Sequence, residues 1–256
     1  MILSDYHVHT HFCDGQSSVD EMVKRAIELK LNNVGIVCHS FVAFDSESCI
    51  SLEKICEFLN EVEKAKVRYR GKINVFAGIE LDYFSDKIQK NGFDFVISSS
   101  HYVKVGEKYL SVDLSYEDQK KVVEENFDGD YYAFCEEYFS QVAHFADDYD
   151  GEIIGHFDLV AKFNQYNELF DENDQRYVKA WQKCADKLIS VGAIFELNAG
   201  ALSRGYRNDF YPSQRIVKYL LSKGGRFVYG SDAHSVDGYN LDCIDKYKKT
   251  GIKFIK

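Results

Sequence analysis

Asp5-Tyr6-His7-Val8-His9-Thr10-His11 places three histidines at alternate positions, with Phe12-Cys13-Asp14-Gly15 directly behind them. On a β-strand, residues i and i+2 project from the same face, so His7 and His9 present two imidazoles side by side, an arrangement that grips a metal ion. A second alternating pair, Asp232-Ala233-His234, follows the strand-like Arg226-Phe227-Val228-Tyr229-Gly230, which predicts that the first and last strands close on one site. His39 follows Val34-Gly35-Ile36-Val37-Cys38, and Glu80 follows Val75-Phe76-Ala77-Gly78-Ile79. His101 follows Val96-Ile97-Ser98-Ser99-Ser100, and His156 follows Ile153-Ile154-Gly155. Imidazoles and carboxylates without thiolates suit Zn²⁺, Mn²⁺ or Fe²⁺, and there are more such groups than one ion takes.

The elements that must carry these residues follow from the apolar patterning. Short β-branched runs alternate with longer amphipathic stretches, the signature of repeated βα units. Strands are expected near Ile2–Tyr6, Asn33–Cys38, Asn74–Ile79, Phe93–Ser98, Glu152–Gly155, Ala193–Leu197 and Arg226–Tyr229. Ser17-Ser18-Val19-Asp20-Glu21 and Ser51-Leu52-Glu53-Lys54 offer cap chemistry ahead of two helices. Tyr116–Tyr149 reads as two helices broken at Phe127-Asp128-Gly129-Asp130, and Asp174–Val191 and Ser213–Ser222 supply two more, the latter behind the single proline, Pro212. The pattern is α/β with a parallel sheet, a barrel or a doubly wound fold. In either, functional residues gather beyond the strand C-termini, where the histidines fall. The 256 residues carry no linker or repeat and read as one domain, 1–256.

Composition narrows the partners. A formal charge of −10 repels a polyanion, and short clusters such as Lys246-Tyr247-Lys248-Lys249 make no phosphate-tracking stripe, so long nucleic acid is not expected as substrate. No run approaches the roughly 20 apolar residues of a membrane helix, so no membrane association is expected. Met1-Ile2-Leu3-Ser4-Asp5 is no secretory signal, and the expected location is the cytoplasm. Seven scattered cysteines without a Cys-x-x-Cys pair fit reduced packing residues. The oligomeric state is not encoded in any pattern here.

His7-Val8-His9-Thr10 with Asp14-Gly15, Cys38-His39-Ser40, Gly78-Ile79-Glu80, Ser100-His101, Gly155-His156-Phe157-Asp158 and Gly230-Ser231-Asp232-Ala233-His234 occur in an order and spacing that resemble the polymerase-and-histidinol-phosphatase (PHP) superfamily of metal-dependent phosphoesterases. The resemblance implies a distorted barrel of seven βα units with a trinuclear centre at the strand C-termini. It implies that His7, His9, Glu80 and Asp232 surround one ion, that Glu80 bridges to a second held by His101 and His156, and that Asp14, His39 and His234 hold a third. His11 lies outside that ligand set. Within the superfamily, Gly155 to Val160, Phe195 to Leu202 and Tyr211-Pro212-Ser213 are most similar to the stand-alone histidinol-phosphate phosphatases, which implies hydrolysis of L-histidinol phosphate. Other readings are a PHP phosphoesterase for another small phosphorylated metabolite or nucleotide, and an inactive metal-binding regulatory module; loss of ligands would mark the latter, and none is lost.

Three divalent ions bring about +6 and three carboxylates return about −3, a balance suited to a phosphate monoester of about −1.5 to −2 with a hydroxide. Ions of this kind lower the pKa of bound water toward ~7, supplying hydroxide for in-line attack on phosphorus. Arg204, Arg207 and Lys162 are candidates to bind the phosphate, Lys162 standing where the family commonly carries an arginine. Asp158 shares a face with His156 by the i, i+2 rule and is a candidate general acid or amine partner. His144 is expected to be structural.

Overall fold

The computed structural model describes residues 4–239 and 252–254. Its elements, in chain order, are β1 (Ser4–Val8), α1 (Val19–Glu28), β2 (Asn33–Ile36), α2 (Ile55–Arg68), β3 (Asn74–Asp82), β4 (Phe95–Ser99), β5 (Tyr102–Val105), β6 (Lys108–Ser111), α3 (Tyr116–Asn126), α4 (Tyr131–Ala143), β7 (Ile153–Ile154), α5 (Gln175–Ser190), β8 (Ile194–Asn198), α6 (Gly200–Ser203), α7 (Gln214–Ser222) and β9 (Arg226–Gly230). Seven strands pair in the order β1-β2-β3-β4-β7-β8-β9, every pair parallel. β9 returns to β1: the Asp232 amide donates to the His7 carbonyl and the His9 amide to the Ala233 carbonyl, both at 2.8 Å. The sheet is therefore a nearly closed, distorted (β/α)7 barrel rather than a doubly wound sheet.

Local chemistry explains most boundaries. Ser18 caps α1 through a reciprocal box with Glu21, the Ser18 amide donating to Glu21 Oε2 at 2.8 Å. The expected cap at Ser51 does not form; Leu52–Lys54 is a 3-10 turn that leads into α2 without a side-chain bond. Asp128 and Gly129 take left-handed φ of 51° and 77°, and Asp130 then caps α4 by accepting from the amides of Tyr132 and Ala133. This is the expected break in the long helical stretch. Ile2 and Leu3 of the first expected strand, and the Lys246–Lys249 cluster, lie outside the described residues. β3 runs longer than its sequence pattern implies, because pairing with β4 continues through Glu80↔Ile97 and Asp82↔Ser99, so Glu80 sits within a strand rather than beyond one. The β5–β6 hairpin, turned at Gly106 (φ 59°), is absent from the sequence-based expectation.

The main core lies between the sheet and its helices. A second, small cluster of Val37, Ile97, Ile153 and Val228, packed against Tyr6, Phe95 and Ile194, plugs the barrel interior. Ile97, Ile194 and Val228 precede Ser99, Glu196 and Gly230 by two residues and so share their faces, which puts this apolar plug beneath the polar rim. Gly35 and Gly78 make room for it, since a Cβ at Gly78 would lie 2.3 Å from the Phe95 ring. Among the described residues no helix is long and apolar enough to cross a membrane.

Candidate metal centre

The strand ends bring the nine expected ligand residues into one cluster around Glu80. Glu80 Oε2 lies 3.2 Å from His7 Nε2, 3.2 Å from His9 Nε2 and 3.0 Å from His39 Nδ1. Its other oxygen, Oε1, lies 2.8 Å from His156 Nε2 and 3.3 Å from His101 Nε2 and accepts from Ser99 Oγ at 2.7 Å. His7 Nε2 and His9 Nε2 are 3.0 Å apart, and Asp232 Oδ1 is 3.8 and 3.7 Å from them. Asp14 faces His39 Nε2 at 3.6 Å and His234 Nε2 at 3.3 Å.

This donor set fits divalent metal ions. Glu80 Oε2 is buried without a hydrogen bond although three imidazole nitrogens surround it, the environment of an oxygen whose partner is a cation. Four ligand atoms around an ion at about 2.0–2.1 Å stand roughly 3.3 Å apart, and the spacings among His7, His9, Glu80 and Asp232 scatter about that value. The electrostatics agree. Burial alone would raise the carboxyl of Glu80; the imidazoles of His7, His39 and His101 overcome it and hold the group well below the carboxylate range. Burial likewise opposes a charge on His7, and Glu196, Glu80 and Asp232 override it, pushing its pKa well above 6.5. The carboxylates thus demand cations, met either by protons spread over the imidazoles or by ions shared among them.

A cavity of about 350 Å³ opens onto this cluster, and Glu80, His101, His156, Asp232, His234, Lys162 and Arg204 are on its wall. Arg204 Nη2 donates to Asp232 Oδ2 at 2.7 Å, and Nη1 lies 3.2 Å from His234 Nδ1. Lys162 Nζ donates to the Asp113 carbonyl at 2.7 Å and to its carboxylate at 3.1 Å. The β5–β6 hairpin forms one side, stapled by Phe44 stacked on Tyr109 at 4.1 Å, while Leu114 and Tyr206 are exposed at the mouth.

Two expected substrate-facing residues are not on the cavity wall. Asp158 is fully buried; Oδ2 accepts from the Ser213 amide at 3.0 Å, at the start of α7, and burial, opposed by the nearby Arg207, pushes its pKa up to about 7. The i, i+2 reading fails because β7 ends at Ile154, and Asp158, with φ −112° and ψ 37°, no longer follows strand geometry. Arg207 is also buried, donating to the Ala161 carbonyl and to Glu172 at 2.8 Å each, which makes it a brace for the loop rather than a free guanidinium. His11 is exposed against Phe12, outside the cluster, and His144 ends α4 with Nδ1 3.2 Å from the Tyr83 hydroxyl.

The sequence reading missed several supports. Asp82 Oδ2 accepts from the His101 amide at 3.0 Å and faces His101 Nδ1 at 3.2 Å. Glu196 Oε1 lies 2.6 Å from His7 Nδ1. Strand alternation points to Asp82, two residues after Glu80, whereas Glu196 has no predicted site residue in alternation with it. Asp5, fully buried, accepts from the amides of His7 and Ser231 at 3.1 and 3.0 Å. Cys13 is more than packing: its Sγ lies 3.4 Å from His9 Nδ1.

Residues 5–200 match the PHP domain family. The chain belongs to this family. Relatives of this PHP domain include the "Probable histidinol-phosphatase" of Schizosaccharomyces pombe, 26% identical over 77% of this chain and 66% of that one. The "Histidinol-phosphatase" of Bacillus subtilis is 22% identical over 94% and 97%. Among solved structures, a Listeria monocytogenes protein superposes with a TM-score of 0.85 at 22% identity over 94% of this chain and 99% of that one. The histidinol phosphate phosphatase of Lactococcus lactis, complexed with zinc, L-histidinol and phosphate, superposes with a TM-score of 0.69 at 20% identity, over 98% and 95%. These two likenesses describe the PHP barrel.

Proposed function

We propose that the chain, acting as a single PHP domain over 1–256, is a metal-dependent phosphomonoesterase that hydrolyses L-histidinol phosphate to L-histidinol and phosphate at a trinuclear centre. The observation that carries this reading is Glu80, whose two oxygens face separate histidine groups, His7, His9 and His39 on one side and His101 and His156 on the other. The relatives that match along the chain, each named for histidinol phosphate chemistry, support this choice of substrate.

In this reading His7, His9, Glu80 and Asp232 would hold one ion, Glu80, His101 and His156 a second, and Asp14, His39 and His234 a third. Zinc, manganese or iron would supply a nucleophile drawn from water at neutral pH and would neutralise charge on the phosphoryl oxygens. The chain's own residues bind and orient. Arg204, held at the wall by Asp232, offers fixed guanidinium donors to a phosphate oxygen, and Lys162 adds a second cation whose position Asp113 sets. The cavity is roomy enough for a phosphorylated amino alcohol, and Leu114 and Tyr206 give its organic part an apolar lip.

The test is phosphate release from L-histidinol phosphate, sugar phosphates and nucleotides, each with and without chelator. Metal-dependent release with the highest kcat/KM on L-histidinol phosphate is expected. Release with another preference would overturn the substrate but not the chemistry; no metal-dependent release from any ester would overturn both.

A further inference from the structure

Glu196 lies on β8, 1% exposed, with both carboxylate oxygens engaged. Oε1 stands 2.6 Å from His7 Nδ1. Oε2 accepts from the backbone amide of His156 at 2.9 Å and from Asn198 Nδ2 at 3.0 Å. The carboxylate is thus tied to the side chain of a residue on β1 and to the main chain of a residue beyond β7, with β8 between them. Its pocket is built to fit: a Cβ on Gly230 of β9 would lie 1.8 Å from Oε1 and 2.7 Å from His7 Cβ, so only glycine leaves room for the contact. With Glu196 Oε1 as acceptor at Nδ1, the ring of His7 is held so that Nε2, the nitrogen that faces His9 and Glu80, is the one turned toward the candidate ion.

We infer that Glu196 is a positioning residue that sets two candidate ligands of two different ions at once, His7 through its ring and His156 through its backbone, and so couples the loading of both. The inference rests on the metal-dependent reading above. Glu196 touches neither Glu80 nor any other ligand side chain except His7 among the contacts given by the described residues. Its influence on the ions therefore passes through the orientation of His7 and the placement of the His156 backbone. Partners of this kind typically contribute 10–100-fold to metal affinity. The coupling predicts a specific pattern: losing the carboxylate weakens binding at the His7 corner and the His156 corner together, although His7 lies on β1 and His156 beyond β7, with β8 and β9 between them.

The experiment compares wild type with Glu196→Gln, which keeps the side chain's size, and Gly230→Ala, which pushes the intact carboxylate away from His7. Each is stripped by chelator and reloaded with Zn²⁺ or Mn²⁺, with metal content, metal affinity, far-UV circular dichroism and kinetics measured. Both variants are expected to keep the wild-type spectrum, to lose two equivalents together with affinity about 10–100-fold weaker, and to lose kcat at little change in KM, with excess metal restoring kcat. Wild-type stoichiometry and affinity in Glu196→Gln would overturn the inference, as would loss at one corner only. Failure of both variants to fold would also overturn it, by making the residue structural. Wild type that binds no divalent ion would instead overturn the metal reading itself, which separates the two failures.

Discussion

Ser99 donates its hydroxyl to Glu80 Oε1 across 2.7 Å, from β4 to the neighbouring β3. This bond assigns one Glu80 oxygen to the His101 and His156 side and leaves the other facing His7, His9 and His39. Gly155 protects it, because a Cβ there would lie 2.4 Å from Ser99 Oγ. Ser99→Ala should lower kcat about tenfold, the scale of one hydrogen bond to a charged group. Gly155→Ala should match that loss and add about 1–3 kcal/mol of destabilisation from overpacking. Kinetics on both variants, with unfolding curves for the second, decide it; full activity in Ser99→Ala removes the hydroxyl from the argument.

Glu80→Ala should deplete two ions rather than one, since both oxygens lose their role together. Elemental analysis of the purified variant gives the count. A wild-type metal content would refute the shared carboxylate.

Chelation should destabilise the fold as well as stop turnover. Imidazoles and carboxylates packed this closely repel or protonate without a bound cation, and binding at about 100 times Kd contributes about 2.7 kcal/mol. Thermal melts with and without chelator should differ by several degrees, and identical melts would show that the ions bring no stability.

The two loop arginines should separate cleanly. Arg204→Lys loses the guanidinium geometry at Asp232 and should cost about 10–100-fold in kcat/KM. Arg207→Lys, distant from the cavity wall, should keep kcat/KM near wild type while losing about 1–3 kcal/mol of stability through Glu172 and the Ala161 carbonyl. Activity loss in Arg207→Lys without loss of stability would return it to the phosphate.

Asp130 links pH to stability away from the site. Its bond to the Arg176 guanidinium comes first, with the α4 amides of Ala133 and Tyr132 assisting, and together they hold its carboxyl below the ordinary value. A carboxyl depressed in the folded state contributes stability that is full above its unfolded pKa of about 3.9 and is lost as pH falls through the folded value. Asp130→Ala should cost about 1 kcal/mol at neutral pH, mostly from the lost cap, and should flatten the acid limb of the stability curve. Urea titrations at several pH values measure both.

The clustering of the histidines was legible because a strand end is a local signal, an apolar run that stops with a histidine behind it; Glu80 was found by the same signal although β3 runs on past it to Asp82. Asp158 lies off the cavity wall because β7 has ended before it, alternation no longer holds and a 3-10 turn redirects the chain, while the burial of Arg207 depends on long-range partners, Glu172 and the Ala161 carbonyl, that no local pattern shows. Glu196 and Asp82 went unnoticed for the opposite reason. They sit on strands, inside the alternation, but an acidic residue in a strand looks like surface until closure shows that its face points into the barrel. The β5–β6 hairpin was hidden by its short strands and by a pattern too polar to stand out, yet it shapes one wall of the cavity.

The seam between β1 and β9 has a consequence for biosynthesis. His7 and His9 are translated more than two hundred residues ahead of Asp232, the carboxylate that faces them across the seam. The hydrogen bonds from Asp232 to His7 and from His9 to Ala233 form only once the last strand docks. A nascent chain that lacks β9 therefore offers loose histidines without the carboxylate that faces them, and under the proposed metal chemistry, ion capture would be a late event that reports completed folding.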